Sequence, residues 1–138
     1  KSSVLLSTGD AKSKTQTLEA ARALQGRGYT IYATKGTADF LAENGVQATV
    51  VGWPDQDPAV SGLPNVLDFI KEHKIDCVVN IPKNLTKDEL NNDYTIRRSA
   101  IDFNIPLITN ARLANDFIVA FCRMGREELK IKAWGEYK

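Results

Sequence analysis

The stretch Tyr29-Thr30-Ile31-Tyr32-Ala33-Thr34-Lys35-Gly36-Thr37-Ala38-Asp39-Phe40 decides the fold. Tyr29 to Ala33 is β-branched, aromatic or small, the composition of a strand. Thr34-Lys35-Gly36 reads as a tight loop. Thr37 is an N-cap for a short helix over Ala38 to Glu43, with Asp39 suited to its first turn. A strand that turns directly into a helix is half of a βαβ unit. The same alternation recurs on both sides. Upstream, Val4-Leu5-Leu6-Ser7 is a strand, Thr8 to Lys14 a polar loop, and Thr15 to Gln25 a helix with Leu18, Ala21 and Leu24 on one face. Gly26 or Gly28 ends it. Downstream, Gln47 to Val51 is a strand and Gly52 to Gly62 a long loop of the kind that is functional or mobile. Pro64 opens a helix striped by Val66, Leu67 and Ile70. Asp76 to Ile81 is a strand whose uninterrupted apolar centre predicts burial on both faces. Beyond a second long loop, Pro82 to Leu90, a helix over Asn92 to Phe103 turns Ile96, Ala100 and Phe103 inward. Ile105 to Ile108 is a short strand with Pro106 at its start or edge. Asn110 caps a last helix, Ala111 to Met124, with Leu113, Phe117, Ala120 and Phe121 in register. Five strands alternating with five helices predict an α/β fold, a doubly wound three-layer α/β/α sandwich around a five-stranded, mainly parallel sheet. The domain runs over residues 1–125, followed by a polar tail, 126–138.

Composition narrows the function. The 138 residues are 43% hydrophobic and 25% charged, which is globular rather than disordered. Lys plus Arg is 18 against 17 for Asp plus Glu, a net charge of +1 that gives no electrostatic footprint for nucleic acid or an anionic membrane. No apolar run approaches the ~20 residues that cross a bilayer. Cys77 and Cys122 lie far apart with no histidine beside either, which excludes a zinc ribbon and a disulfide scaffold and points to a reducing, cytoplasmic setting. Lys1 in place of Met predicts a segment of a longer polypeptide. The single histidine, His73, falls at a helix end, so no Ser-His-Asp or Cys-His set forms. No catalytic set and no metal set is expected.

In a doubly wound sheet, ligands bind at the carboxyl ends of the strands. Four segments qualify: Ser7 to Lys14, Thr34 to Thr37, Gly52-Trp53-Pro54 and Asn80 to Asn84. Thr34-Lys35-Gly36-Thr37 joins a strand end to a helix N-terminus, where hydroxyls, unpaired N–H groups and the helix dipole favour an anion. Gly36 lets the backbone approach a phosphate; equally, it serves only the turn, and Thr37 only the cap. The spacing is not that of a P-loop. Lys12 and Lys14 could complete a phosphate site or lie in water. Trp53 could cover a ligand or pack under the long loop. Asn80 offers donor and acceptor at a buried strand end, and Lys83 a positive charge beside it. Arg97 and Arg98 more naturally pair with Asp93 or Asp102. Asp55 and Asp57 are the carboxylates available for acid–base work in the long loop, where solvated carboxylates are commoner.

Three stretches of the sequence, Tyr32 to Phe40, Val79-Asn80-Ile81-Pro82 and Tyr94 to Ala100, together with Ile105 to Asn110, resemble the methylglyoxal synthase-like domain. The resemblance runs from about Ser3 to Met124. It is closest to the branch that forms the C-terminal regulatory domain of carbamoyl-phosphate synthase large chains. It implies a flavodoxin-like sheet and an allosteric effector at the strand mouths, in a parent ligase of pyrimidine and arginine biosynthesis. In such domains Thr34 and Thr37 would hold the effector's phosphate or carboxylate, with Ser7, Gly36 and Asn80 around it. Lys12 is the matching lysine of the first loop. Trp53 matches a ligand-contacting tryptophan of the N-acetylglutamate-activated branch. Two further asparagines of that branch fall at Lys83 and Asp93; Lys83 suits a more anionic ligand. The resemblance therefore implies uridine monophosphate (UMP) as the effector, with inosine monophosphate (IMP) next and an N-acetylglutamate- or ornithine-responsive domain as the alternative. The domain itself would need no cofactor, while the parent would use ATP and magnesium. Its partners would be synthetase domains of the same chain and a glutaminase subunit. Lyase chemistry on dihydroxyacetone phosphate, the enzyme alternative, requires a histidine, which the matching positions lack, and a carboxylate base, for which a loop carboxylate such as Asp55 or Asp57 would serve. A structural module with no ligand is the third reading.

Overall fold

The computed structural model describes residues 3–81 and 87–123, with the side chains of 87–91 excepted. Elements follow in the order β1 (Ser3–Thr8), α1 (Ala11–Gln16), α2 (Leu18–Gly26), β2 (Thr30–Thr34), α3 (Lys35–Glu43), β3 (Thr49–Val51), α4 (Pro58–Ser61), α5 (Val66–Lys71), β4 (Cys77–Ile81), α6 (Lys87–Asp102), β5 (Leu107–Ile108) and α7 (Ala111–Arg123). The five strands form one parallel sheet ordered β3-β2-β1-β4-β5. The strand order reverses between β1 and β4, where flavodoxin itself reverses between its first and third strands. Alternate residues of each strand face opposite layers. Val4, Leu6, Ile31, Ala33, Cys77 and Val79 pack under α2, α3 and α7. Leu5, Val78 and the half-buried Tyr32 pack under α5 and α6. The three-layer sandwich is therefore as the alternation predicts, and β4 is buried on both faces from Cys77 to Asn80.

Four local expectations are corrected. The polar loop after β1 contains α1. Asp10 caps it, accepting from Ser13 N at 2.6 Å and from Ser13 Oγ at 3.2 Å. Ala-Lys-Ser-Lys-Thr-Gln has no apolar period, so hydrophobic patterning could not reveal it. Thr34-Lys35-Gly36 is not a loop: Thr34 is the N-cap, and Lys35 and Gly36 belong to the first turn of α3. The long loop holds a single turn of helix, α4, capped by Asp57 through Ala59 N at 2.9 Å and closed by Gly62 at φ 74°. Finally, α7 is rotated. Ala111, Ala114, Ile118, Phe121 and Cys122 face inward, while Leu113 and Ala120 are exposed. The run Phe117 to Cys122 is apolar all round and does not fix a phase. Asn115 does, because its Oδ1 accepts from Ala20 N of α2 at 2.8 Å. His73 closes α5 at φ 55°, its ring edge-on to Phe103. Among the described residues no helix is long and apolar enough to cross a membrane. The tail from residue 126 and the loop position Lys83 lie outside the described residues.

Candidate functional site

The carboxyl edge of the sheet is polar on one face. Ser7 pairs in register with Asn80, and Thr34 follows the Leu6–Ala33 pair on the other flank. These three residues stand side by side across β2, β1 and β4, facing the α5–α6 layer. All are buried, at 2%, 2% and 0% exposure for Ser7, Thr34 and Asn80. Burial without partners would be costly. Thr34 Oγ1 donates to Ser7 Oγ at 3.3 Å, and Asn80 Nδ2 donates to Asp93 Oδ1 of α6 at 2.8 Å. Asn80 Oδ1 is a buried oxygen for which the described residues provide no partner.

Above this row, where the order reverses between β1 and β4, lies a cavity of about 230 Å³. Its floor is the end of β1, Ser7 and Thr8, and the Gly9 that follows, with Ile81 of β4 beside them. The start of α3 supplies one wall, Gly36 and Thr37; Lys14 of α1, Asp93 and Trp53 supply the rest. A larger cleft of about 760 Å³ lies between α3 and the β2–β3 side, and its described lining includes none of the expected site residues. Position at the reversal and the polar chemistry, rather than size, mark the smaller cavity as the functional candidate.

The expected residues are partly brought together. Ser7, Gly36, Thr37 and Trp53 line the cavity; Thr34 and Asn80 lie behind it in the buried row. The two threonine hydroxyls do not converge as the sequence reading required. Thr34 turns to Ser7. Thr37 Oγ1 accepts from Thr8 N at 3.0 Å and donates to Thr8 O at 3.1 Å, stapling α3 to β1. Lys12 is exposed and outside the lining; its neighbour two positions on, Lys14, is the lysine of the wall. The reason is α1 itself, which sends residues two apart to different sides. Lys14 Nζ donates to Gly9 O at 2.8 Å, which holds the ammonium at the mouth. Lys35 is turned outward to Asp39, 3.3 Å away on the exposed side of α3. Asp57 is a helix cap, Asp55 is outside the lining, and Arg98 pairs with Asp102 at 3.2 Å.

The sequence reads Thr8 and Gly9 as loop, and Asp93 as an ion-pair partner for Arg97 or Arg98 and a departure from the family pattern. Asp93 had a readable signal: with Ile96 and Ala100 it continues the inward stripe of α6, and a carboxylate on an apolar stripe needs a partner. Asp10 is held below the usual carboxylate range, chiefly by the Ser13 N–H and further by the Ser13 hydroxyl and the charges of Lys14 and Lys12. Burial pushes the Cys77 thiol up to about 12, so it is inert, as a packed small apolar residue should be.

The profile of the MGS-like domain family matches residues 16–109, and so spans α2 through β5. This chain belongs to that family. The MGS-like domain is 34% identical over 136 residues to "Multifunctional protein CAD" of Squalus acanthias, covering 91% of the chain. It is 34% identical over 134 residues to "Carbamoyl phosphate synthase large chain" of Methanoculleus marisnigri, covering 97% of the chain. The chain spans only 6% and 12% of the length of these two relatives. In three dimensions it resembles methylglyoxal synthase from Elizabethkingia anophelis, with a TM-score of 0.59 and 16% identity over 87% of this chain and 78% of that one. At that identity the likeness concerns the fold alone.

Proposed function

We propose that this MGS-like domain is the effector-binding regulatory domain of a carbamoyl-phosphate synthase large chain. Its cavity takes a nucleoside monophosphate, UMP first and IMP next. The observation that carries the reading is the corner formed by the start of α3 and Lys14 at the β1–β4 reversal. The first N–H groups of a helix have no intrahelical acceptor, and they carry the positive end of its dipole. Gly36 sharpens the argument. It is helical, its φ is not positive, and a Cβ built there meets nothing within 4 Å. The turn does not require glycine, so close approach by a ligand is the reason left for it.

The domain itself does no chemistry in this reading and needs no cofactor. The synthetase domains of the same chain, working with a glutaminase subunit, would use ATP and magnesium. Regulation follows when the effector binds one arrangement of the domain and its neighbours better than the other. Calorimetric titration with UMP, IMP and adenosine monophosphate tests the reading. The chain should bind UMP or IMP saturably. Gly36→Ala should keep its stability to within about 1 kcal/mol while weakening binding about tenfold or more. No saturable heat from any of the three at millimolar concentration would overturn the assignment.

A further inference from the structure

Trp53 is the one aromatic side chain in the described lining of the cavity, and it stands between β3 and α4, outside any helix or strand. It is half-buried, packed against the core beneath α5 and α6 as well as lining the cavity. A large side chain on an unsupported turn would have to be ordered by the ligand, and that ordering weakens binding. Here the turn is supported, by Asn65, 12 residues further on. The Asn65 Oδ1 accepts from Leu67 N at 2.9 Å and caps α5, which turns Nδ2 the other way. There Nδ2 donates to Trp53 O, Pro54 O and Gln56 O, each at 3.2 Å. An amide has two hydrogens to give, and here they are shared among the carbonyls of one turn.

The backbone is tied on both sides of that knot. Gly52 bridges Asn65 in parallel, with Gly52 N donating to Pro64 O at 2.7 Å and Val66 N donating to Gly52 O at 3.0 Å. Trp53 N donates to Gln56 Oε1 at 2.8 Å, and Gln56 N to Trp53 O at 3.0 Å. The tie from this turn to α6, Asp55 N to Asn92 Oδ1, is exposed and longer, at 3.3 Å. Aspartate or serine would cap α5 as well as asparagine does. Only the converging carbonyls call for an amide at this position.

We propose that Asn65 is a positioning residue, which pins the Trp53–Gln56 turn so that Trp53 stands as a wall of the cavity before any ligand arrives. The inference rests on the cavity being an effector site and adds how that site is kept preformed.

The test separates capping from pinning. Asn65→Asp keeps the oxygen that caps α5 and loses the donors, whereas Asn65→Ala loses both. Titrated with UMP and IMP, both variants of the 138-residue chain should bind about fivefold more weakly than the wild type, or worse. A cap alone would leave Asn65→Asp binding as the wild type does, and that result overturns the inference. Trp53→Ala should weaken binding by a similar factor. Adding Asn65→Asp to it should change the affinity by less than about twofold, because the two residues act through one ring. A Trp53→Ala variant that binds normally, or losses that simply multiply, overturn the inference. Trp53 can also be read without ligand, since the chain has two tryptophans and Trp134→Phe leaves only Trp53. In that background Asn65→Asp should shift the emission to the red and raise quenching by acrylamide; an unchanged spectrum with unchanged quenching overturns the inference. Failure of the wild-type chain to bind either nucleotide overturns the effector reading, and the fluorescence comparison then decides the positioning by itself. Should Asn65→Asp not fold, Asn65→Ser, which also caps but is too short to reach the carbonyls, takes its place with the same expectations.

Discussion

The two faces of the central sheet differ by a single residue step. Ala33, Leu6 and Val79 form a row across β2, β1 and β4 facing α2, α3 and α7, each with 0% exposure. One residue further along the same strands, Thr34, Ser7 and Asn80 form a row on the opposite face, with at most 2% exposure. Burial does not distinguish the rows; chemistry does. The apolar row does what a core does, removing surface from water. The polar row gives up that gain and retains hydroxyls and an amide beneath a cavity. Two-residue periodicity makes this possible, because a strand can hold its core on one side while its last residues turn to a ligand on the other.

Three substitutions or conditions would break or sharpen the contrast. The largest effect is expected in the apolar row. Leu6→Ala should lose about 3–5 kcal/mol in urea unfolding, with the phosphate affinity of the folded fraction intact. A large loss of affinity at little cost in stability would show that the rows are not functionally distinct. In the polar row, Ser7→Ala or Thr34→Val alone should cost about 1 kcal/mol, since each strands the other's hydroxyl. The double variant should recover most of that stability and still bind phosphate more weakly, because Ser7 lines the cavity. A double variant that is simply the sum of the singles would mean the pair is not exchanging a hydrogen bond. The smallest effect lies at the α1 cap. Because Asp10 is depressed in the folded chain, its contribution is full above the ordinary value of 3.8 and is lost as pH falls through the lower folded value. Stability measured from pH 5 downward should therefore decline less steeply in Asp10→Asn, which keeps a capping oxygen without the charge.

Strands were the most legible part of the sequence. Val4 to Leu6, Thr30 to Ala33 and Cys77 to Val79 are continuous β-branched, aromatic or apolar runs, as strands covered on both faces must be. The helices that escaped are those without an apolar stripe, α1 and α4, which rest on side-chain caps at Asp10 and Asp57. In α7 the stripe was present but its phase was not, because Asn115 sets the rotation through a contact with α2 that no local pattern contains. At the site, Gly36, Thr37, Ser7 and Trp53 were legible as residues following strands. The resemblance pointed to Lys12, whereas Lys14 lines the cavity, because α1 gives that segment sides that a loop would not have. The roles of Thr34 and Thr37 depend on partners, Ser7 and Thr8, more than twenty residues away in sequence (separations of 27 and 29).

The strand made first is the one in the middle. β1 pairs with β2 on one edge and with β4 on the other, and its tie from Ser3 to Asp76 spans 73 residues. During translation, β1 can zip to β2 early but must hold its second edge open until β4 leaves the ribosome. The candidate cavity straddles that late seam, since Ser7 and Ile81 come from its two sides. Ligand that recognises the closed seam would then act on the nascent domain as well as on the mature one, drawing the last half of the sheet into place.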